Sequence, residues 1–200
     1  IPVVSTLVIG FLMSIIVGPP VAALNKIMLD FLNSLQGGSL AILGIIQGMM
    51  LAFDLGGPVN KAAYAFALAA FEAGNYAPMA ANFVASMSPP LAVGIAMLIA
   101  KNKFKEAEKA TTAGCIIGGI GMISEFAIPF AASSPLFYIP CFMAGSAVGA
   151  VMTYLLGITL QAPHGGLFVM FLSNKPLMLI VALIIASLVS AGLIVAFKKE

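Results

Sequence analysis

The chain has 200 residues, of which 62% are hydrophobic and only 8% are charged, with a net charge of +2. Soluble globular domains carry roughly 25% charged residues, so this composition excludes an ordinary soluble domain, a disordered chain, a nucleic-acid-binding module and a secreted disulfide scaffold. Uncharged stretches instead predict an integral membrane protein, because a membrane helix needs about 20 apolar residues; they are 1–25, 31–53, 73–100, 126–163 and 176–197.

The first predicted crossing is the end of a membrane helix at Val3–Val17, and Gly18-Pro19-Pro20 is expected to stop it. Val21–Leu35 follows as an amphipathic helix that would lie along the membrane surface and end at Gly37-Gly38. Three polar residues, at spacings of three and four, share one face of this helix: Lys26, Asp30 and Asn33.

The next segment predicts a re-entrant hairpin. Two apolar arms, Ser39–Phe53 and Ala62–Phe71, are each too short for a comfortable crossing, and they flank the polar tip Asp54–Lys61. Such a tip survives at membrane depth only inside protein or beside a wet cavity. Gly56-Gly57-Pro58 is expected to shape the turn, with Gly57 needing either a positive φ or space for a neighbour.

A second hairpin is predicted after the crossing Ala77–Ala100 and the charged loop Lys101–Lys109. Its arms are Thr111–Ile123 and Phe126–Ala132, and Glu125 lies at or near its tip. A carboxylate at the centre of a membrane helix costs roughly 2.5–3.5 kcal/mol on insertion scales, and such residues are functional by default.

Two further crossings complete the chain. Leu136–Leu160 contains three small residues suited to close helix packing, namely Gly145, Gly149 and Gly157. The connection Gln161–Pro176 carries His164-Gly165-Gly166, and Leu177–Phe197 is the last crossing. The whole chain, 1–200, is predicted to be one transmembrane transport domain of the all-α class.

Lysines predict the orientation. They concentrate in the loop 101–109 and at Lys198-Lys199, so both regions are expected in the cytoplasm. The two hairpins then enter from opposite faces, as do the broken helices of secondary transporters.

Three stretches resemble the membrane C domain of the fructose-type enzyme II of the bacterial phosphotransferase system: Phe53–Phe66 (FDLGGPVNKAAYAF), Ile123–Ala132 (ISEFAIPFAA) and Ala162–Phe168 (APHGGLF). The resemblance spans essentially the whole chain and corresponds to the C-terminal portion of that domain, without its N-terminal helices. The second motif departs from the usual pattern, because Ser124 replaces Thr, Phe126 replaces Gly and Ser134 replaces an acidic residue. The sugar therefore stays open between fructose, mannosylglycerate and their relatives.

This resemblance implies a permease of the bacterial inner membrane that binds a sugar from outside. A phosphorylated B component would then donate its phosphoryl group to the sugar, so the chain is catalytic only together with that partner. The implied partners also include membrane lipid and a second copy in a homodimer, but no nucleic acid. No cofactor or metal is expected, since Cys115 and Cys141 stand in apolar surroundings without a close His or Cys neighbour.

Six residues are the predicted site. Glu125 would accept a sugar hydroxyl hydrogen bond and draw off its proton, while the alternative is a packing role. His164 and Asn60 can each donate and accept hydrogen bonds, and the alternative for His164 is a loop histidine at the membrane surface. Lys61 would attract the phosphoryl group or pair with Asp54 or Glu125, and Asp54 and Gly57 complete the hairpin tip.

Two other functions remain open from the sequence. One is a proton-coupled sugar transporter without phosphorylation, with Glu125 as the proton site. The other is a membrane scaffold that docks cytoplasmic partners.

Overall fold

Helices dominate the computed structural model, which describes residues 2–35 and 39–198. The α-helices are α1 (Pro2–Leu12), α2 (Gly18–Leu35), α3 (Leu40–Phe53), α4 (Pro58–Glu72), α5 (Ala77–Ile99), α6 (Glu106–Lys109), α7 (Thr112–Ile120), α8 (Ile128–Ser133), α9 (Pro135–Leu155) and α10 (Pro176–Phe197). Lys101–Lys103, Ser124–Ala127 and Gly166–Leu172 form 3₁₀ helices. In the described ranges no strand occurs besides an isolated bridge between Leu160 and Ser173, which confirms the all-α class.

Four helices of the described ranges are long and apolar enough to cross a membrane. They are Val3–Pro20, Ala77–Ile99, Pro135–Leu155 and Pro176–Phe197, so the four predicted crossings are confirmed by length and composition. The chain is a multi-pass membrane protein.

The predicted stop at Gly18-Pro19-Pro20 is wrong. A π-helical turn, Met13–Val17, joins α1 directly to α2, and the Gly18 N–H donates to the Met13 carbonyl. Proline is tolerated in the first turn of a helix because an N–H there needs no helical partner. Helix α2 thus continues α1; its place on the membrane surface stays a prediction, and the predicted end at Gly37-Gly38 lies outside the described residues.

Helices α5, α9 and α10 pack together as the core of the bundle, and small residues let them approach. A Cβ on Gly145 would overlap Ser190 of α10, and a Cβ on Gly149 would lie 2.5 Å from Val84 of α5 and 2.7 Å from Ala186. The predicted packing role of these two glycines is confirmed.

Gly157 has a different role from the one predicted. Its φ of 60° places it in the left-handed region, and the next amide, Ile158 N–H, donates to the Thr153 carbonyl over 2.9 Å. These features end a helix, so α9 stops at Leu155 and the predicted crossing to Leu160 was too long.

The loop of residues 101–109 and the C-terminal end of α10 meet at one end of the bundle, which we call the lysine end. Lys103 Nζ donates to the carbonyls of Val195 and Lys198, each over 3.0 Å. At the far end, the Leu160 N–H donates to the Tyr76 carbonyl over 3.3 Å. The loop 101–109 and Lys198 therefore share one end, and Lys199 lies outside the described residues. The side of the membrane that this end faces stays a prediction.

The first hairpin, α3 and α4, starts and finishes at the far end. Helix α3 runs antiparallel to α9, because a Cβ on Gly44 would lie 2.8 Å from Val151 and one on Gly48 would lie 2.5 Å from the Ser146 carbonyl oxygen. Its turn is shorter than predicted: α4 begins at Pro58, so Asn60 and Lys61 lie in a helical first turn.

The second hairpin, α7 and α8, starts and finishes at the lysine end. Thr112 Oγ1 lies 3.6 Å from Met97 Sδ near the end of α5, and Ser133 shares a cavity with Lys103 and Lys198. The two predicted helical hairpins are thus present and meet tip to tip. Their re-entry into a membrane stays a prediction.

Candidate functional site

A cavity of about 380 Å³ lies where the two hairpin tips meet, and its size falls within the range of small-molecule sites. We call it the tip cavity. Its lining consists of Asn60, Lys61, Tyr64, Ser86, Met122, Ile123, Ser124, Glu125 and His164. Four of the six predicted site residues therefore come together, from two hairpins and the loop after α9.

Glu125 and Lys61 face each other across the tip cavity. Glu125 lies in the 3₁₀ helix Ser124–Ala127, and its Oε1 is 4.0 Å from Lys61 Nζ. The two side chains are 46% and 60% exposed, so their pairing contributes little stability. A ligand can separate them at small cost, which leaves a carboxylate acceptor and an ammonium donor for its own groups.

Gly56 lets the two tips approach. Its φ of 108° lies in the region that favours glycine, and a Cβ there would overlap the Glu125 carboxylate. The sequence predicts that Gly57 needs either a positive φ or space for a neighbour. Its φ is −78°, so the first reason does not apply. The second does, because a Cβ would lie 2.5 Å from Asp54 Oδ2.

Asp54 supports the site from outside the tip cavity. Its carboxylate accepts the N–H groups of Val59 and Asn60, over 2.8 and 2.9 Å, at the start of α4. An acidic side chain in this position caps a helix N-terminus and complements its dipole. The structure therefore places Asp54 and Gly57 in the turn and not among the cavity-lining residues.

Asn60 is anchored while it lines the tip cavity. It is 5% exposed, and its Nδ2 donates to the Leu51 carbonyl over 2.5 Å. This bond ties α4 to α3 and fixes the amide plane. The remaining amide hydrogen and Oδ1 are the groups that Asn60 can offer to a ligand.

The loop that carries His164 is held by both hairpins. Tyr64 of α4 donates its hydroxyl hydrogen to the Pro163 carbonyl over 3.2 Å. Gly166, with a φ of 57°, lies so close to α7 that a Cβ would overlap the Ile120 carbonyl. His164 is exposed on this loop and lines the tip cavity.

Sequence reasoning missed several lining residues. Tyr64 and Ser124 lie within the two motifs that drew attention, so their positions beside Asn60 and Glu125 were an available signal. Ser86 gave none, because it stands in the uncharged stretch 73–100, yet it is 6% exposed and lines the tip cavity from α5.

These side chains suit a hydroxyl-rich ligand. One carboxylate, one ammonium, one imidazole, one amide and the hydroxyls of Tyr64, Ser86 and Ser124 converge there. Donors and acceptors are therefore mixed, as a sugar with many hydroxyl groups requires.

A family model described as the phosphotransferase system EIIC matches residues 1–145, a range that includes both hairpins and ends before His164. A PTS system fructose-specific EIIABC component of Bacillus subtilis is 41% identical over 99% of this chain and 31% of its own length. A fructose permease IIC component of Bacillus amyloliquefaciens is 40% identical over 99% of this chain and 65% of its own length.

A third relative, the PTS system fructose-specific EIIC component of Haloferax volcanii, is 40% identical over all of this chain and 54% of its own length. The chain thus spans less than two thirds of each of these relatives. No solved structure matches it significantly.

Proposed function

This chain belongs to the phosphotransferase system EIIC family, and we propose that it is the sugar-translocating part of such a system. It binds a fructose-type sugar in the tip cavity and holds it for phosphorylation by a phosphorylated B component. The observation that carries this proposal is the convergence of Asn60, Lys61, Glu125 and His164 on one cavity. The depth of the tip cavity in the bundle supports translocation. Ser86 lines this cavity and lies near the middle of α5, a helix long enough to cross a membrane.

The chemistry assigned to the site is positioning. Phosphoryl transfer needs the donor, the phosphorus and the acceptor hydroxyl in line. The phosphorus–sulfur bond of a phosphocysteine on the B component breaks, and a bond from phosphorus to the sugar oxygen forms. Glu125 accepts the hydrogen bond and then the proton of that hydroxyl, while Lys61 attracts the phosphoryl oxygens.

The B component is expected at the lysine end. A cavity of about 660 Å³ there combines lysines with aromatic rings. Its lining includes Lys103, Lys105, Lys198, Phe104 and Tyr138. Relatives in Escherichia coli and Rhodobacter capsulatus carry B and C in one name, as PTS system fructose-specific EIIB'BC components.

Lipid and a second copy are further proposed partners. The span Val3–Pro20 is apolar and no part of it is buried in this structure. Such a surface must be covered by acyl chains or by protein. The homodimer is carried over from the sequence prediction and needs its own measurement of oligomeric state.

The test is phosphorylation of labelled sugars in membrane vesicles that contain the complete permease. We expect phosphorylated fructose only when the phosphorylated B component is supplied, and no effect of a protonophore on vesicles that contain both. Omission of the B component is the control. Uptake that needs no B component and collapses with the protonophore would instead establish the proton-coupled alternative, which the relatives do not support.

The proposed cytoplasmic position of the lysine end has a separate test. Cysteine at Asn102, on the lysine end, should react with an impermeant thiol reagent only from the cytoplasmic side. Cysteine at Gln161, exposed at the far end, should react only from outside. The native Cys115 and Cys141 are buried, so the unmodified protein serves as the blank. Labelling in the reverse pattern would invert the proposed orientation.

A further inference from the structure

Helix α5 contains two adjacent prolines, Pro89 and Pro90, and both are buried. A proline has no N–H, so it cannot donate to the carbonyl of the residue four positions earlier in a helix. The two carbonyls that lose their helical donors are those of Ala85 and Ser86. A buried carbonyl without a donor is costly and rare, so each of the two needs a partner from outside the helical ladder.

The carbonyl of Ala85 is paired by two serines. Ser146 Oγ of α9 donates to it over 2.8 Å, and Ser88 Oγ of α5 donates to it over 3.2 Å. Both serines are fully buried. Serine hydroxyls commonly satisfy the carbonyls that a proline frees in a membrane helix. The bond that Pro89 removes is therefore replaced within the bundle.

The carbonyl of Ser86 has no such replacement. In the described ranges, neither a side chain nor a loop N–H donates to it. Ser86 is 6% exposed and lines the tip cavity. A helical carbonyl lies on the same side of the helix as its own Cα and points along the axis to the next turn. A molecule in the tip cavity can therefore bring a donor to this carbonyl.

A free carbonyl at this place is selective for a hydroxyl. It accepts hydrogen bonds and never donates them. A sugar that has a hydroxyl opposite the carbonyl pairs with it, whereas an analogue without that hydroxyl leaves a buried acceptor unpaired. Sites built in this way reject analogues that lack the matching group.

We propose that the Ser86 carbonyl, freed by Pro90, is a sugar-hydroxyl acceptor in the tip cavity and contributes to the choice of sugar. Pro89 has a different role, because the carbonyl that it frees is bonded to Ser146 in the contact of α5 with α9. This inference rests on the proposed function, since it takes a fructose-type sugar as the ligand.

The test is Pro90→Ala in the complete permease, with fructose affinity measured on the purified protein. Alanine restores an N–H that donates to the Ser86 carbonyl within the helix, so this acceptor is no longer free for the sugar. One neutral hydrogen bond to the sugar is lost, and affinity should fall by about two- to tenfold. Neither proline lines the tip cavity, so no direct contact of a proline ring with the sugar is removed.

Pro89→Ala is the matched control. It removes the same atoms from the neighbouring buried position, but the N–H that it restores faces the Ala85 carbonyl, which serines already satisfy. Fructose affinity should therefore stay at the wild-type value in this variant. A general effect of straightening α5 would lower affinity in both variants alike.

Fructose analogues that each lack one hydroxyl give a second measurement. Pro90→Ala should bind one of them, the analogue without the hydroxyl that faces Ser86, as well as the wild type does, because the bond is already absent. For the other analogues, the variant should show the same two- to tenfold loss, roughly, as it shows for fructose.

The outcomes separate the two proposals. In permease that binds fructose, wild-type affinity of Pro90→Ala, an equal loss in Pro89→Ala, or the same loss for every analogue overturns the acceptor and leaves the proposed function intact. Wild-type permease that neither binds fructose nor supports its phosphorylation overturns the proposed function itself. Should Pro90→Ala fail to purify, Pro90→Val restores the same N–H with a larger side chain, and its comparison with Pro89→Val decides the question.

Discussion

The two hairpins meet at one cavity, but they are held in the bundle in different ways. The first is tied down along its length: Gln47 Nε2 of α3 donates to the Pro78 carbonyl over 3.0 Å, and the Tyr154 hydroxyl of α9 donates to Gln47 Oε1. Asp54 then caps α4 within the tip. Polar bonds of this kind between buried groups fix one arrangement of helices.

The second hairpin is held by the fit of small residues. Gly119 of α7 lies against Leu91, and Gly94 of α5 lies against Ile116, each with no room for a Cβ. Its tip stays open, with Ile123 and Glu125 exposed. The first tip is thus fixed by polar bonds, while the second presents the acidic group on an exposed turn.

The largest effect is expected when the first hairpin can no longer pack against α9. Gly48→Leu in α3 should abolish folded protein, because a Cβ alone would lie 2.5 Å from the Ser146 carbonyl oxygen and a backbone atom cannot swing aside. The control is Gly192→Leu in α10, where nothing lies within 4 Å of a Cβ. Yield of monodisperse protein and its Tm are the measurements, and equal values for the two variants would contradict the tight contact of α3 with α9.

The next effect concerns the acidic group of the second tip. Glu125→Gln keeps the size of the side chain and loses its charge, and a hydrogen bond to a charged group contributes about 1.5–3 kcal/mol. Fructose affinity should therefore fall by about tenfold to more than a hundredfold. Phosphorylation should fall further, because Gln cannot take the hydroxyl proton.

Stability should not follow affinity in this variant. The pair with Lys61 is exposed and long, at 4.0 Å, so Tm should stay close to wild type. A variant with normal affinity and normal phosphorylation would remove Glu125 from the site, whereas a large loss of Tm would assign it to packing.

A smaller effect is expected at the cap of the first tip. Asp54→Ala removes the acceptor of two N–H groups at the start of α4, and loss of such a cap costs about 0.5–2 kcal/mol of unfolding free energy. Glu72→Ala is the matched control, because this exposed carboxylate lies at the other end of the same helix, where the dipole disfavours it.

Thermal unfolding and fructose affinity are measured for both variants. We expect Asp54→Ala to lower Tm and to weaken binding indirectly, by loosening Asn60, whereas Glu72→Ala should lower neither. If Asp54→Ala weakened fructose binding without lowering Tm, Asp54 would contact the sugar, as its place among the six predicted site residues implies. It would then not act as a helix cap.

The same contrast explains what the sequence could predict. The uncharged stretches predicted the four crossings, because the length and apolar composition of a membrane helix can be read from its own segment. Both hairpins were predicted from short apolar arms around polar tips. Glu125 is the sole acidic residue between Glu108 and Glu200, and a charged side chain in an apolar segment costs free energy of insertion, which marked it as a functional residue.

Features that depend on neighbours in space could not be predicted. Ser86 became a cavity residue only when α5 packed beside both tips. The closely spaced Gly56 and Gly57 differ because one faces the other hairpin and one faces Asp54. Gly157 was assigned to packing because a small residue in an apolar run fits a helix interface and a helix end equally well.

The smallest effect tests whether the fixed hairpin positions the histidine. Tyr64→Phe removes the hydroxyl that donates to the Pro163 carbonyl, and one neutral hydrogen bond contributes about 0.5–1.5 kcal/mol. Fructose affinity should therefore fall by only about two- to tenfold.

Tyr64 also lines the tip cavity, so the single variant cannot separate direct contact with the sugar from positioning of His164. A double-mutant cycle with His164→Ala can, because coupled residues are not additive. If Tyr64 acts by holding the loop, its loss should have almost no further effect once His164 is gone. An equal loss of affinity in both backgrounds would mean that the Tyr64 hydroxyl contacts the sugar directly. The first hairpin would then contribute a sugar-binding group, and not only the bond to the Pro163 carbonyl that holds the His164 loop.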